Sequence, residues 1–424
     1  MKKWIIGPLA VSLLFGSSQF VSAANNPLKD LKRVDSLSLN SAIDMAVDNS
    51  YNLALLGLKF SALDNKQGDL EAQKDELSVT GSVYKYKLPT DPMDILTDPT
   101  YRIPEDATPD QLLWLGTTIE ANTVINGMMD GISDIVDGMN KLVRSQRNQL
   151  EVAIEQMDTN KKKTLLETDK AREGAILQVT SQYVTLLSEK EQIATTKEYV
   201  ALLENDVRRA QILESYGGGS KENIVKAERA VRTQNEQLNI LEKKYQADLV
   251  QLSYDLGIEY NPDLVLEDIP LPELQPVERK DTNRILAKSY DLKMKDKEID
   301  QAKWEETHTD TASDDGEDFL ELSTRIAKLQ GEQLYVEQAK KVDQIYNDAE
   351  TAYLGAVTAD NEYQDVLFDY NNNNIRYEKG FISAFDMNKL KFTLTQAETK
   401  ANLTKLKYFV ITRQVEAMEN GLII

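Results

Sequence analysis

The eleven prolines of this 424-residue chain fall in two clusters, between Pro8 and Pro109 and between Pro262 and Pro276. The span from Asp110 to Asn261 holds none, and neither does anything after Pro276. An internal proline costs a helix about 3 kcal/mol or more, so these two spans are where uninterrupted helices can run. From Lys141 to Glu214 the only glycine is Gly174. As one helix that stretch is roughly 110 Å long at about 1.5 Å per residue, far beyond a globular helix.

Apolar residues in these spans recur in alternating steps of three and four. Ile176, Val179, Tyr183, Leu186 and Ile193 form one such seam, and Ile224, Ala227, Val231, Leu238 and Leu241 form another. Met387, Leu390, Leu394, Ala397 and Ala401 make a third. This rhythm is that of left-handed coiled-coil packing. A second stripe one residue on, at Leu177, Val184, Leu187 and Ala194, gives the first helix neighbours on both sides. A sheet or ring of helices is therefore expected over an isolated two-stranded coil. The expected class is all-α.

The chain repeats itself. Under one shift of 163 residues Gly217 falls on Gly380, Ser220 on Ser383 and Asn223 on Asp386. Each turn is followed by a helix that ends in glycine, at Leu256-Gly257 and Asn420-Gly421. Each copy also opens alike, with Ser50-Tyr51-Asn52-Leu53 in one and Ser289-Tyr290-Asp291-Leu292 in the other. A short helix precedes the first of these, with Asn40 or Ser41 as its expected cap. The layout is then a leader at 1–23, a first repeat at 24–258, a proline-rich linker at 259–280 and a second repeat at 281–424. The first repeat carries an insertion at 76–110 and a helix at 111–142. The linker is expected to be extended, with an edge strand around Leu271.

The leader reads as a secretory signal: Lys2 and Lys3, an apolar run from Trp4 to Phe15, then Val21-Ser22-Ala23 as a small-residue cleavage site. The chain has no cysteine, which rules out disulfides and thiolate chemistry. Its net charge of −21 argues against nucleic acid and anionic lipid as partners.

Catalysis finds little footing. His308 is the only histidine and sits in a polar stretch with no paired nucleophile. The loop Asp310–Asp318 is acidic, but an EF-hand register on Gly316 puts Leu322 where a glutamate is needed, so no metal is expected. Lys161-Lys162-Lys163 reads as a solvated basic face. No cofactor is implied. Segment 111–142 sets Met128, Met129, Ile132, Ile135, Val136 and Met139 among Gly127, Gly131 and Gly138. Two readings stand for it: an apical helix packing on its own oligomer, or a membrane- or partner-facing cap anchored by Trp114.

These residues resemble the outer-membrane efflux protein family, the TolC-like export ducts. That family's turn has an aromatic, two variable residues, Gly, a small polar residue and an acid. Tyr377, Gly380, Ser383 and Asp386 match it; Gly217, Ser220, Ala227 and Glu228 match more loosely, with Asn223 in the acid's place. The opening Leu39–Leu53 is similar to the family's start, and the resemblance runs from about residue 36 to 421.

It implies a homotrimer in which each chain adds two helical hairpins to a hollow α-barrel. The hairpin tips would then dock a periplasmic-adaptor-like protein, and an ABC-type or proton-driven pump would supply the energy. The expected docking residues are Gly217, Gly218, Gly219 and Ser220 at one tip, and Arg376, Tyr377, Gly380, Phe381 and Ser383 at the other. Asp365, Asp369 and Asp386 are the candidate lumen carboxylates. One departure stands out: family members insert a pair of β-strands in each repeat. Here only Val79–Leu88 alternates convincingly, and Glu305–Asp318 is short and polar, so little or no membrane barrel is expected. A non-transporting structural or binding protein of the envelope, with the same hairpins and no lumen, is the alternative.

Overall fold

The computed structural model describes residues 31–79, 81–82, 87–97, 108–271, 273–311 and 313–424. The leader at 1–23 and part of the alternating stretch, at 80 and 83–86, lie outside them. Residues 79, 81, 82, 87 and 88 are not strand, and the Leu88 backbone is instead paired with the side chain of Asn126.

The chain is helical almost throughout. Two short helices open it, α1 at Leu39–Asp48 and α2 at Tyr51–Glu76, and α3 spans Pro92–Thr97. Helix α4 then runs unbroken from Pro109 to Ser215, 107 residues or about 160 Å. The segment 111–142 is thus the first third of this one helix. Helix α5 (Lys221–Leu256) returns from the first turn. The second repeat holds α6 (Thr282–Leu286), α7 (Tyr290–His308), α8 (Asp314–Glu378) and α9 (Ala384–Asn420).

Local chemistry sets these limits. Ser38, not Asn40 or Ser41, caps α1, because it is the last residue with extended backbone and its hydroxyl accepts from the Ser41 amide. Ser50 and Ser289 cap α2 and α7 in the same way, through the amides of Leu53 and Leu292. Asp314, Asp315 and Glu317 lie in the first turn of α8, where its dipole favours negative charge. The asparagines 371–374 do not interrupt that helix. The Asn373 side chain donates to the Asp369 carbonyl, and Asn374 to Glu378.

The helices form a wall four columns wide. Helix α4 packs on α2 and α7 over its middle and on α5 and α9 over its upper part, while α8 packs on α7 and α9. Two columns are each made of two helices set end to end, α2 with α5 and α7 with α9. At one junction the Asn49 side chain donates to the Leu256 carbonyl (2.8 Å) against Gly257. At the other the Tyr290 amide donates to the Gly421 carbonyl (3.1 Å). Gly257 and Gly421 both have positive φ, +65° and +117°.

Among the described residues the paired strands are two short ones, β1 (Ser36–Leu37) beside β2 (Val265–Leu266), in parallel. The linker strand therefore lies earlier than Leu271, where the prolines leave the backbone free to pair. Leu271 instead packs on the core.

The linker crosses the wall from column to column, pinned by tyrosines. The buried Tyr183 hydroxyl of α4 stands 2.7 Å from the carbonyls of both Leu37 and Glu267, and burial pushes its pKa up to about 12. Tyr408 of α9 donates to the Gln275 carbonyl (2.5 Å), and Tyr346 of α8 accepts from the Lys280 amide (3.1 Å). Two apolar clusters sit at this height. One gathers Tyr183, Leu186, Leu252, Leu256 and Leu406, and the other Leu286, Val342, Ile345 and Met418.

The basic run 161–163 is a solvated face only at Lys162. Lys161 reaches Asp64 of α2 (2.5 Å), Lys163 reaches Glu298 of α7, and Lys162 pairs with Asp158 on its own helix. Three consecutive residues on a helix point about 100° apart, so a wall helix can serve both neighbours with them. Burial alone would raise the Glu298 carboxyl, but hydrogen bonds from Lys163 and Lys295 outweigh it and hold the pKa below the ordinary value. A depressed carboxylate contributes stability that is present above its unfolded pKa and lost as pH falls through the lower folded one. Glu298→Gln should therefore lower the melting temperature near neutral pH. The gap from the parent should narrow between neutral pH and an acid pH below the ordinary glutamate range, as the parent carboxylate takes up its proton. Melting curves at the two pH values check this, and an equal gap at both would refute it.

Candidate functional site at the paired hairpin tips

Both repeats turn at the same end of the wall with matching backbone chemistry. At the first turn Gly217 has φ +74°, its amide donates to the Glu214 carbonyl, and the Gly218 amide donates to Leu213 (both 2.9 Å). At the second Gly380 has φ +79°, its amide donates to Tyr377, and the Phe381 amide donates to Arg376 (both 2.9 Å). This is the left-handed helix ending that glycine permits without steric cost. Helix α5 then starts on Ser220, whose hydroxyl accepts from the Asn223 amide (3.3 Å), and α9 on Ser383, which accepts from Asp386 (3.1 Å).

The docking residues expected from sequence all sit on these turns. Gly217, Gly218, Ser220, Arg376, Tyr377, Gly380, Phe381 and Ser383 are exposed and Gly219 is half-buried. Asp386 is also there, its carboxylate accepting from the Ser383 hydroxyl (2.6 Å) as part of the cap. Asp365 and Asp369 lie one turn apart on α8, both exposed. They share a helix face with each other and sit on a different helix from Asp386.

A group of side chains unread in the sequence ties the two tips together. The Arg209 guanidinium of α4 lies 4.1 Å from the ring centre of Phe385 on α9, and the Lys389 ammonium lies 4.5 Å from it. Lys389 also faces Asp206 at 4.0 Å. Below them Tyr199 stacks on Phe392 (4.9 Å) and Thr195 bonds Thr399 (2.7 Å). Phe385 follows Ser383 by two residues, and that aromatic just past a cap was the available signal. Outside this contact the end of the wall presents Tyr216 and Phe381, both large and exposed.

His308 stacks on Trp304 (4.5 Å), and its Nδ1 meets the Thr307 hydroxyl (2.7 Å) and the Trp304 carbonyl (3.0 Å).

Known structures share this architecture. The chain superposes on the Campylobacter jejuni outer membrane channel CmeC with a TM-score of 0.58 and 13% identity, covering 91% of this chain and 86% of that one. The chain has the fold of the TolC-like outer-membrane channels. The outer-membrane channel OprN gives a TM-score of 0.59 at 10% identity, with 90% of each chain covered. The Vibrio cholerae outer membrane protein VceC gives 0.57 at 10% identity, covering 91% of this chain and 97% of that one. No family model matches the sequence, and no curated protein matches it. Within the TolC-like fold the two glycine turns form one end of the helical wall, and the lower end of α4 forms the other.

Proposed function

We propose that the chain is the protomer of a passive export duct of the cell envelope, a homotrimer closed by side-to-side contact of these walls. The observation that carries this reading is the free flank of α8. Phe319, Leu322, Ile326, Leu329 and Val336 are exposed there in steps of three, four, three and seven, and Leu354, Phe368 and Ile375 continue the same heptad register. The opposite face of α8 already packs inward through Val342, Ile345, Ala349, Ala356 and Ala359. The helix thus carries two seams and satisfies one. On the far edge of the wall Tyr51, Leu55 and Leu58 of α2 and Ile240 and Tyr254 of α5 are exposed as well. A wall with a different apolar seam on each edge makes head-to-tail contacts, and a curved wall of that kind closes into a ring.

The ring of three, the adaptor and the pump come from the resemblance and the shared fold. The tips, with Tyr216, Phe381 and the glycine turns, are then the adaptor-docking end. Among the described residues no helix is long and apolar enough to cross a membrane, and no strand reaches the roughly 9–11 residues of a spanning strand. By the resemblance the duct belongs to the cell envelope and is exported by the segment 1–23, standing in the outer membrane if a barrel forms and in the wall space of a single-membrane cell if none does. Transport through it needs no chemical step.

Negative-stain electron microscopy of residues 24–424, with light scattering for mass, tests the proposal. Three-chain tubes with a stain-filled lumen are expected. Single-chain solid rods at every concentration would overturn it in favour of a structural role.

A further inference from the structure

The lower end of α4 runs past the wall. Helix α2 ends near Glu151, which Lys74 reaches at 2.8 Å, and α7 ends near Asn148, whose side chain bonds the His308 carbonyl and the Asp310 amide. From there to Pro109, about 55 Å of helix, α4 meets only α3 and residues 87–89 among the described residues. On one side Asn122 and Asn126 hold the backbone of Pro89 and Leu88, and Ser133 and Asn140 are buried with them.

The adjoining side is bare. Ile125, Met128, Ile132, Ile135, Met139 and Leu142 are all exposed, in steps of three, four, three, four and three. These are successive a and d positions of a heptad, a pattern that fits another helix and has no use in water or against a loop. Ile occurs at both a (125, 132) and d (135), the combination that favours more than two strands. Glycines 131 and 138 take the g positions beside the seam, leaving room for close approach. The acids Glu120, Asp130, Asp134 and Asp137 all fall at c or f, away from the seam, and Asp130 faces Lys87 there at 3.7 Å. No Lys or Arg lies between Gln111 and Asn140. A helix that rests on a membrane carries basic residues on its polar face, so an anionic lipid surface would repel this one.

We propose that the occupant of this stripe is the same segment of two further copies. Three α4 extensions, one per protomer, wind into a parallel three-helix coiled coil on the axis and hold the protomers together at the end of the assembly opposite the tips. This rests on the trimer proposed above: three-fold symmetry brings identical stripes to one axis in register.

The chain has no cysteine, so single substitutions give clean cross-links. Ile132→Cys at an a position and Met128→Cys at a d position are oxidised in the full chain beside Asp130→Cys at an f position. Mass is followed by light scattering and helicity by circular dichroism. The expected result is chain-to-chain disulfides at 132 and 128, forming at least about ten-fold faster than at 130, where the sulfurs are held too far apart. Three-chain mass with no cross-link at 132 or 128, or with equal rates at all three positions, overturns the bundle and leaves the duct standing. Sedimentation of the uncross-linked chain with phosphatidylcholine vesicles would overturn it in favour of lipid. Cross-linking at 132 in a chain that never assembles tubes would uphold the bundle and sink the duct.

Discussion

Gly421→Ala should destabilise the chain by about 3–5 kcal/mol, the largest loss expected from a single methyl group here. Its backbone stands at φ +117°, outside the range an alanine adopts without strain. A Cβ built there would lie 2.4 Å from the Lys288 carbonyl oxygen and 3.1 Å from its carbon, both backbone atoms that cannot swing aside. Relief requires the last turn of α9 to part from the start of α7. That breaks the bond from the Tyr290 amide to the Gly421 carbonyl (3.1 Å) and disturbs the buried Met418 and Ile423. Gly380→Ala is the control. It has positive φ but open space where the methyl would go, so strain alone applies, about 1–2 kcal/mol. Denaturant midpoints for the two variants and the parent decide the matter. Equal losses would mean that the junction yields where the geometry says it cannot.

Placing charge on the outer seam of α8 should abolish assembly and leave the fold intact. Leu322→Glu with Leu329→Glu puts two carboxylates on positions that are exposed in the single chain, so helicity and unfolding should change little. In a closed ring each would be buried without a partner at a cost of ~3–5 kcal/mol, weakening association by more than about 10⁴-fold. Light scattering should report single chains where the parent gives assemblies. A double variant that keeps its mass would show that copies meet elsewhere.

Much of this architecture was legible in order of sequence. Proline-free spans marked the long helices, the matched glycines marked the turns and the helix ends, and the double stripe on α4 announced neighbours on both sides. Each signal is local: a period, a cap, a breaker. The parts that escaped depend on which helix lies beside which. Lys163 meets Glu298 across 135 residues of chain, so no reading of 161–163 alone could distinguish a bridge from a solvated run. The cap of α1 moved to Ser38 because serine hydroxyls at 38 and 41 compete, and backbone geometry chooses between them. The linker strand formed at Val265–Leu266 because β1 happened to pass there. At the tips the turn residues were readable, but the Arg209–Phe385–Lys389 stack joins two repeats and leaves only Phe385, an aromatic just past a cap, as a local mark. The outer seam of α8 was available all along in the three-four spacing of Phe319 to Leu329. It shows why exposure matters: a seam on a helix says that it has a partner, and only the fold says that the partner is missing.

The tyrosine-pinned linker has a mechanical consequence. It crosses α4, α9 and α8 at one height with its backbone drawn out, and an extended chain yields no more than about 3.3–3.6 Å per residue. Spreading those helices there would have to pull Tyr183, Tyr408 or Tyr346 off its carbonyl or amide. In a ring of such walls, three of these straps add up to a hoop that fixes the bore at its own level. From Tyr183 to the end of α4 at Ser215 the wall continues for about 50 Å with no strap across it. Any change of calibre therefore has to be made in that free reach, and its lever arm is longest at the tips.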